Sequence, residues 1–215
     1  LAQKKPHECR LYLISPPQID KTEEFAKTLT AALSGGDVAS FQLRLKDVSD
    51  EHIIEVAEVL LPICHANDVA FIVNDRADLA AQLGADGVHL GQSDGDIKEA
   101  RTILGHDAAI GVTCHGSRHL AFEAGDQGAD YIAFGAFFPT STKETLHVAD
   151  IETLEWWSDI AELPCVAVGG ITIENCSPLI EAKADFIAVC SAVWDNADGP
   201  SIAVKLFNEK LNQRE

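Results

Sequence analysis

Residues 109–137 read AIGVTCHGSRHLAFEAGDQGADYIAFGAF, and their order decides the fold. A short apolar run, AIGVTC (109–114), gives way to the helical stretch RHLAFEAGDQGA (118–129). The chain then enters a second apolar run, YIAFGAF (131–137), with almost no loop between. Strand, helix and strand in this order make a crossover unit, the connection that joins parallel neighbours in a sheet.

The same unit repeats in both directions. Further strands are predicted at RLYLISP (10–16), VASFQLRL (38–45), VAFIVND (69–75), GVHLG (87–91), CVAVGGI (165–171) and FIAVCSAV (186–193). Helical stretches separate them, and SIAVKLFNEKLNQ (201–213) closes the series. Eight strands alternate with eight helices, which implies a parallel sheet covered by helices. The count of eight favours a closed (β/α)8 TIM barrel over an open doubly wound sheet. A mean repeat of roughly 27 residues leaves little room for insertions in such a barrel. No linker or composition break divides the chain. We therefore expect a single domain over residues 1–215, with 1–9 as a short N-terminal extension. GADGVHL, GADYIAF and KADFIAV each carry a helix end straight into a strand. This is turn chemistry for the barrel's lower face, with no catalytic role.

The net charge of −18 among 215 residues predicts no affinity for nucleic acid or anionic membranes. A local group of cations and oriented amides can still bind phosphate against that background. No apolar run approaches a membrane span, and the N-terminal LAQKKPHEC has no signal-peptide core. A cytoplasmic protein is expected. The six cysteines contain no C-x-x-C pair, so they read as buried, reduced thiols and not as a zinc site.

A barrel of this kind places its active site at the C-terminal strand ends. Strand two ends FQLRLKD, where alternation puts Gln42, Arg44 and Lys46 on one face and Phe41, Leu43 and Leu45 on the other. Either this is an edge strand with a solvated face, or Gln42, Arg44 and Lys46 form an anion-binding row inside the mouth. Strand three ends VNDRAD, with Asn74 and Asp75 at the boundary. Asp75 could cap the next helix or hold a metal. Strand four leads to Asp94, also either a cap or a metal ligand, although Asp96 is better placed to cap. Two carboxylates near a row of cations suit Mg²⁺ with substrate phosphate oxygens. Near the end of strand five Thr113 could face the mouth, and His115 and His119 read as surface histidines. Strand six releases PTSTKET (139–145), dense in hydroxyls around Lys143. Strand seven ends at Gly169 and Gly170, which either make a tight turn or let a ligand approach exposed amides. Ser191 at strand eight adds a hydroxyl. Two anion sites result. Gln42, Arg44, Lys46 and Lys143 with the two carboxylates suit a metal-bound diphosphate. Gly169, Gly170 and Ser191 suit a monophosphate. No Ser-His-Asp set or zinc motif is present.

QLRLK, NDR, GADGVHLGQSD, IGVTCH, GADYIAFGAFFPTSTK, VAVGGIT and VCSA stand in order over about residues 10–195. In this the chain resembles the thiamine-phosphate synthase family. The resemblance implies a transferase that joins 4-amino-5-hydroxymethyl-2-methylpyrimidine diphosphate to 4-methyl-5-(2-hydroxyethyl)thiazole phosphate. The products would be thiamine phosphate and diphosphate, and Mg²⁺ would be required. By match of motifs, Gln42, Arg44, Lys46 and Asn74 would hold the pyrimidine diphosphate, and Asp75 and Asp94 the Mg²⁺. Thr113 stands where the family usually has serine, near the diphosphate. Thr140 and Thr142 would hold the thiazole phosphate, and Lys143 the diphosphate. Gly169, Gly170 and Ser191 would complete the thiazole phosphate site beside Cys190, where the family commonly has an aliphatic residue. The implied partners are these small molecules, with no nucleic acid and no membrane, and a homo-oligomer is left open. Three rivals share the fold. A thiazole tautomerase would need a histidine in the strip after strand six, and GAFFPT has none. A catalytically silent phosphate-binding barrel would lack Arg44, Asp75, Asp94 or Lys143, and all are present. A phosphosugar epimerase would need histidines on several strands, whereas only His89 falls in one.

Overall fold

The computed structural model describes residues 8–140 and 148–213. Eight parallel strands follow one another around a closed barrel, and the last pairs with the first. They are β1 (Arg10–Ile14), β2 (Ser40–Leu43), β3 (Ala70–Asn74), β4 (Gly87–Leu90), β5 (Ala109–His115), β6 (Tyr131–Phe134), β7 (Cys165–Val168) and β8 (Phe186–Val189). The helices between them are α1 (Thr22–Leu33), α2 (Asp50–His65), α3 (Ala77–Leu83), α4 (Ile97–Leu104), α5 (Arg118–Gln127), α6 (Ile151–Ile160) and α7 (Ser177–Glu181). After β8 come the short α8 (Ser191–Trp194) and then α9 (Pro200–Asn212). The (β/α)8 barrel expected from the alternation is the observed architecture. Closure leaves no sheet edge, so the edge-strand reading of FQLRLKD falls.

Several strands end earlier than the sequence suggests, each for a local reason. Predicted strand 10–16 stops at Ile14 because Pro16 and Pro17 have no N–H to offer a ladder. Opposite, β2 stops at Leu43, and the buried Ser15 hydroxyl accepts the Arg44 N–H at 2.8 Å in place of a backbone carbonyl. Predicted strand 186–193 stops at Val189. Cys190 leaves the extended region, and the Trp194 indole donates to the Ile14 carbonyl at 2.6 Å. The residues beyond Cys190 form α8, a ninth helix among the described residues and one the periodicity did not show.

The outer faces of the strands pack on the helices. Phe41, Leu43 and Leu45 point outward into that core, as their alternation predicts. A second, smaller cluster fills the barrel itself with Tyr12, Tyr131, Ala133, Val166 and Ala188. At the lower face the recurring aspartates have a structural task. Asp86, Asp130 and Asp185 each stand before an even strand and accept a backbone N–H from the preceding odd strand. The donors are Phe71 at 2.6 Å, Ile110 at 2.7 Å and Cys165 at 2.8 Å. Near the β1–β2 pair, Asp37 instead takes the Arg10 guanidinium in two bonds of 2.7 Å.

Candidate active site

A cavity of about 540 Å³ opens at the C-terminal ends of the strands. Gln42, Arg44, Lys46, Asn74, Asp75, Asp94, Thr113, Thr140, Gly169, Gly170, Cys190 and Ser191 all line it. The structure thus brings together these twelve sequence-predicted residues. Thr142 and Lys143 lie outside the described residues.

The acidic wall is built from two carboxylates that cap nothing. Arg76, not Asp75, occupies the N-cap of α3, and it makes no side-chain cap bond. Asp75 sits in the left-handed region with φ of 64°, a conformation more accessible to aspartate than to most residues. Its Oδ2 accepts from the Lys46 ammonium at 2.8 Å. The Arg76 guanidinium braces this turn by bonding Asp50 of α2 and Asp78 of α3. At the next strand, Asp96 caps α4 by accepting the amides of Lys98 and Glu99 at 2.8 and 3.0 Å. Asp94 is therefore not needed as a cap. Its carboxylate folds over Gly91, where a Cβ would fall 2.1 Å from Oδ2. Among the described residues no three His, Cys, Asp or Glu side chains group as a self-contained metal site. Two carboxylates fit a hard divalent cation whose other ligands are water and substrate oxygens.

Arg44 supplies the basic wall. Its backbone is pinned by Ser15, and its guanidinium makes no ion pair within the described residues. Such a group is ready for an oxyanion fork. Cys190 faces the same space and donates its thiol to the Ser15 carbonyl at 3.3 Å. Burial, partly offset by Arg44, pushes that thiol up to about 11. It is neutral at physiological pH and is not an activated nucleophile.

The glycine turn after β7 does more than the sequence indicates. Gly169 and Gly170 have φ of 103° and 64°. A Cβ on Gly169 would lie 2.4 Å from the Ala136 methyl, and one on Gly170 would lie 2.3 Å from the Pro139 carbonyl oxygen. The turn is seated directly on the segment that follows β6. Asn175 was not foreseen, yet it fastens this turn. It donates to the Gly170 carbonyl at 3.0 Å and accepts the Thr172 amide at 2.7 Å.

The floor of the cavity also escaped the sequence reading. Gln42 donates to the Tyr12 hydroxyl at 2.8 Å, and the Tyr12 and Tyr131 hydroxyls meet at 3.1 Å. Tyr131 reaches His89 Nδ1 at 3.1 Å, and His89 Nε2 lies 2.8 Å from Thr113 Oγ1. The available signal was that the chain's two tyrosines both fall in predicted strands. His115, read as a surface residue, lies on the cavity wall, whereas the side chain of His119 is exposed.

Residues 11–193 match the family described as thiamine monophosphate synthase. A thiamine-phosphate synthase from Rhodospirillum centenum is 59% identical over 204 residues, spanning 95% of this chain and 98% of that protein. One from Hyphomonas neptunium is 51% identical over 211 residues, spanning 96% and 95%. The solved thiamine phosphate pyrophosphorylase from Pyrococcus furiosus superposes with a TM-score of 0.84 at 30% identity, covering 96% of this chain and 97% of that one.

Proposed function

Because the chain belongs to the thiamine-phosphate synthase family, we propose that its cavity joins the aminopyrimidine diphosphate to the thiazole phosphate and releases diphosphate. The observation that carries this reading is the shared cavity itself. A guanidinium with no ion pair among the described residues, two carboxylates that cap no helix and a glycine turn all face one space. That combination suits a diphosphate beside a monophosphate better than it suits any hydrolytic chemistry.

Arg44 and Lys46 receive the diphosphate of the pyrimidine substrate, and Gln42 and Asn74 orient its ring. Asp75 and Asp94 are the residues that would hold Mg²⁺, which would supply further positive charge to the diphosphate. Thr113 offers a hydroxyl to the same group. Thr140, the Gly169–Gly170 turn and Ser191 hold the thiazole phosphate, with Thr142 alongside, and Lys143 completes the diphosphate contacts. The methylene C–O bond breaks with its electron pair leaving on the diphosphate. The aminopyrimidine delocalises the cation that remains, and the thiazole nitrogen closes the C–N bond with its lone pair. Arg44, Lys46 and Lys143 act where negative charge accumulates. Positioning supplies much of the rest, so no general base is required. We read the whole chain as one barrel domain working in the cytoplasm, a reading its six free cysteines support. No helix among the described residues is long and apolar enough to cross a membrane.

The test is direct. Purified protein receives both substrates with Mg²⁺, and thiamine phosphate is quantified. Product forms well above the uncatalysed background, and Arg44→Ala slows it by roughly 10²-fold or more. Absence of product with active controls refutes the reading.

A further inference from the structure

The side chains on the cavity floor form one unbroken chain across the barrel. It runs from Gln42 on β2 through Tyr12 on β1, Tyr131 on β6 and His89 on β4 to Thr113 on β5. The first four are at most 9% exposed, so each hydrogen bond is made in a shielded setting. No buried side-chain nitrogen or oxygen among the described residues lacks a partner. The niche for Tyr131 is built in. A Cβ on Gly111 would lie 1.9 Å from the phenol Cζ.

Counting protons gives the chain a direction. Each phenol has one proton. Gln42 donates through Nε2 to Tyr12, which leaves the Tyr12 proton free, and either phenol could donate across the 3.1 Å between them; the direction that uses the Tyr12 proton sends it to Tyr131. The Tyr131 proton then passes to His89 Nδ1, which must be bare. A neutral ring with a bare Nδ1 carries its proton on Nε2 and donates to Thr113 Oγ1. The Thr113 proton is left to donate elsewhere, and at the far end Gln42 keeps Oε1 as an acceptor. Reversal from the Tyr12–Tyr131 link onward would make the Tyr12 oxygen accept twice and leave its proton unused in the chain, so the single direction is the one that engages every proton.

We propose that Gln42, Tyr12, Tyr131, His89 and Thr113 form a one-way hydrogen-bond relay that fixes an acceptor at one side of the cavity and a hydroxyl donor at the other. Tyr12, Tyr131 and His89 are positioning residues in this scheme. Given the synthase reading, on which this assignment of ends rests, the acceptor meets the exocyclic amine of the pyrimidine and the donor meets a diphosphate oxygen. The opposite polarity would turn amide protons toward the amine and hydroxyl lone pairs toward the anion.

The ring nitrogens of His89 report the polarity directly. The full chain is labelled with ¹⁵N-histidine, and the His89 signals are identified by their loss in His89→Gln. The expected wild-type state is the neutral Nε2–H tautomer, and an Nδ1–H tautomer or an imidazolium overturns the relay. Gln42→Glu at pH 8.5 replaces the donor by an acceptor and reverses every link, so the distant His89 moves to Nδ1–H. Adding Tyr12→Phe cuts the path and restores Nε2–H. A folded Gln42→Glu protein with an unchanged ring overturns the proposal. Should that variant not fold, Tyr12→Phe alone decides. It keeps the tautomer and raises the KM for the pyrimidine diphosphate roughly fivefold, the worth of one hydrogen bond, with little change in the KM for the thiazole phosphate. An unchanged pyrimidine KM overturns the proposal. The spectra need no substrate. An inactive protein with the expected tautomer refutes the synthase reading alone, and an active one with the opposite tautomer refutes the relay alone.

Discussion

Aspartate does opposite work at the two rims of this barrel. At the lower rim, Asp86, Asp130 and Asp185 hand a carboxylate oxygen to a strand N–H, and Asp86 and Asp130 also bind a side chain from a neighbouring helix, His65 and Arg101. Their lone pairs are taken by donors fixed in the scaffold. At the upper rim, Asp75 and Asp94 cap no helix, because Arg76 and Asp96 hold the two N-cap positions. Their oxygens face a cavity. One residue type thus separates into mortar and ligand according to whether the local backbone presents it with an amide.

The contrast can be broken by exchange, and the largest effect belongs to the upper rim. Asp94→Asn should lower the rate of thiamine phosphate formation by about 10²-fold or more if that carboxylate serves the reaction. The urea midpoint should stay near that of the parent, since no scaffold bond is lost. A rate within a fewfold of the parent would contradict the role given to Asp94. Next comes the lower rim. Asp130→Ala strips the acceptor from the buried Ile110 N–H and from Arg101, and should cost about 1–3 kcal/mol in urea unfolding. Its kcat should stay close to the parent's at a temperature where both are folded. A large loss of kcat without loss of stability would erase the distinction between the rims.

The smallest effect tests the brace at the upper rim. Arg76 holds Asp78 and Asp50 below the usual carboxylate range, chiefly by side-chain hydrogen bonds. Carboxylates depressed in the fold contribute stability above their unfolded pKa and lose it as pH falls through the folded value. Arg76→Gln should therefore lower the urea midpoint slightly at pH 7, and the gap should close as the solution is acidified below the carboxylate range. A gap that persists in acid would mean that Arg76 acts by packing and not by charge.

The fold was legible because each crossover unit carries its own punctuation. GAD or KAD marks a helix end and a strand start at once, and the carboxylate task found for it explains why that turn recurs. Strand ends were not legible. They are set by groups far away in sequence, such as the Trp194 indole on the Ile14 carbonyl and the Ser15 hydroxyl on the Arg44 amide. The charged part of the cavity could be read because alternation along FQLRLKD leaves only one face for an apolar core. The floor could not. Tyr12 and Tyr131 meet across 119 residues, and a tyrosine in a strand reads as an ordinary strand former until its partner is known.

Gly170 carries a consequence for how this protein can vary. Its α-carbon leaves no room for a side chain beside the carbonyls of Phe138 and Pro139, and its φ of 64° already favours glycine. The turn after β7 and the stretch after β6 are consequently a single inherited unit, though 31 residues separate Pro139 from Gly170. A lineage that alters one must alter the other in step. Laboratory libraries that randomise either segment alone will sample mostly sequences whose two halves no longer fit.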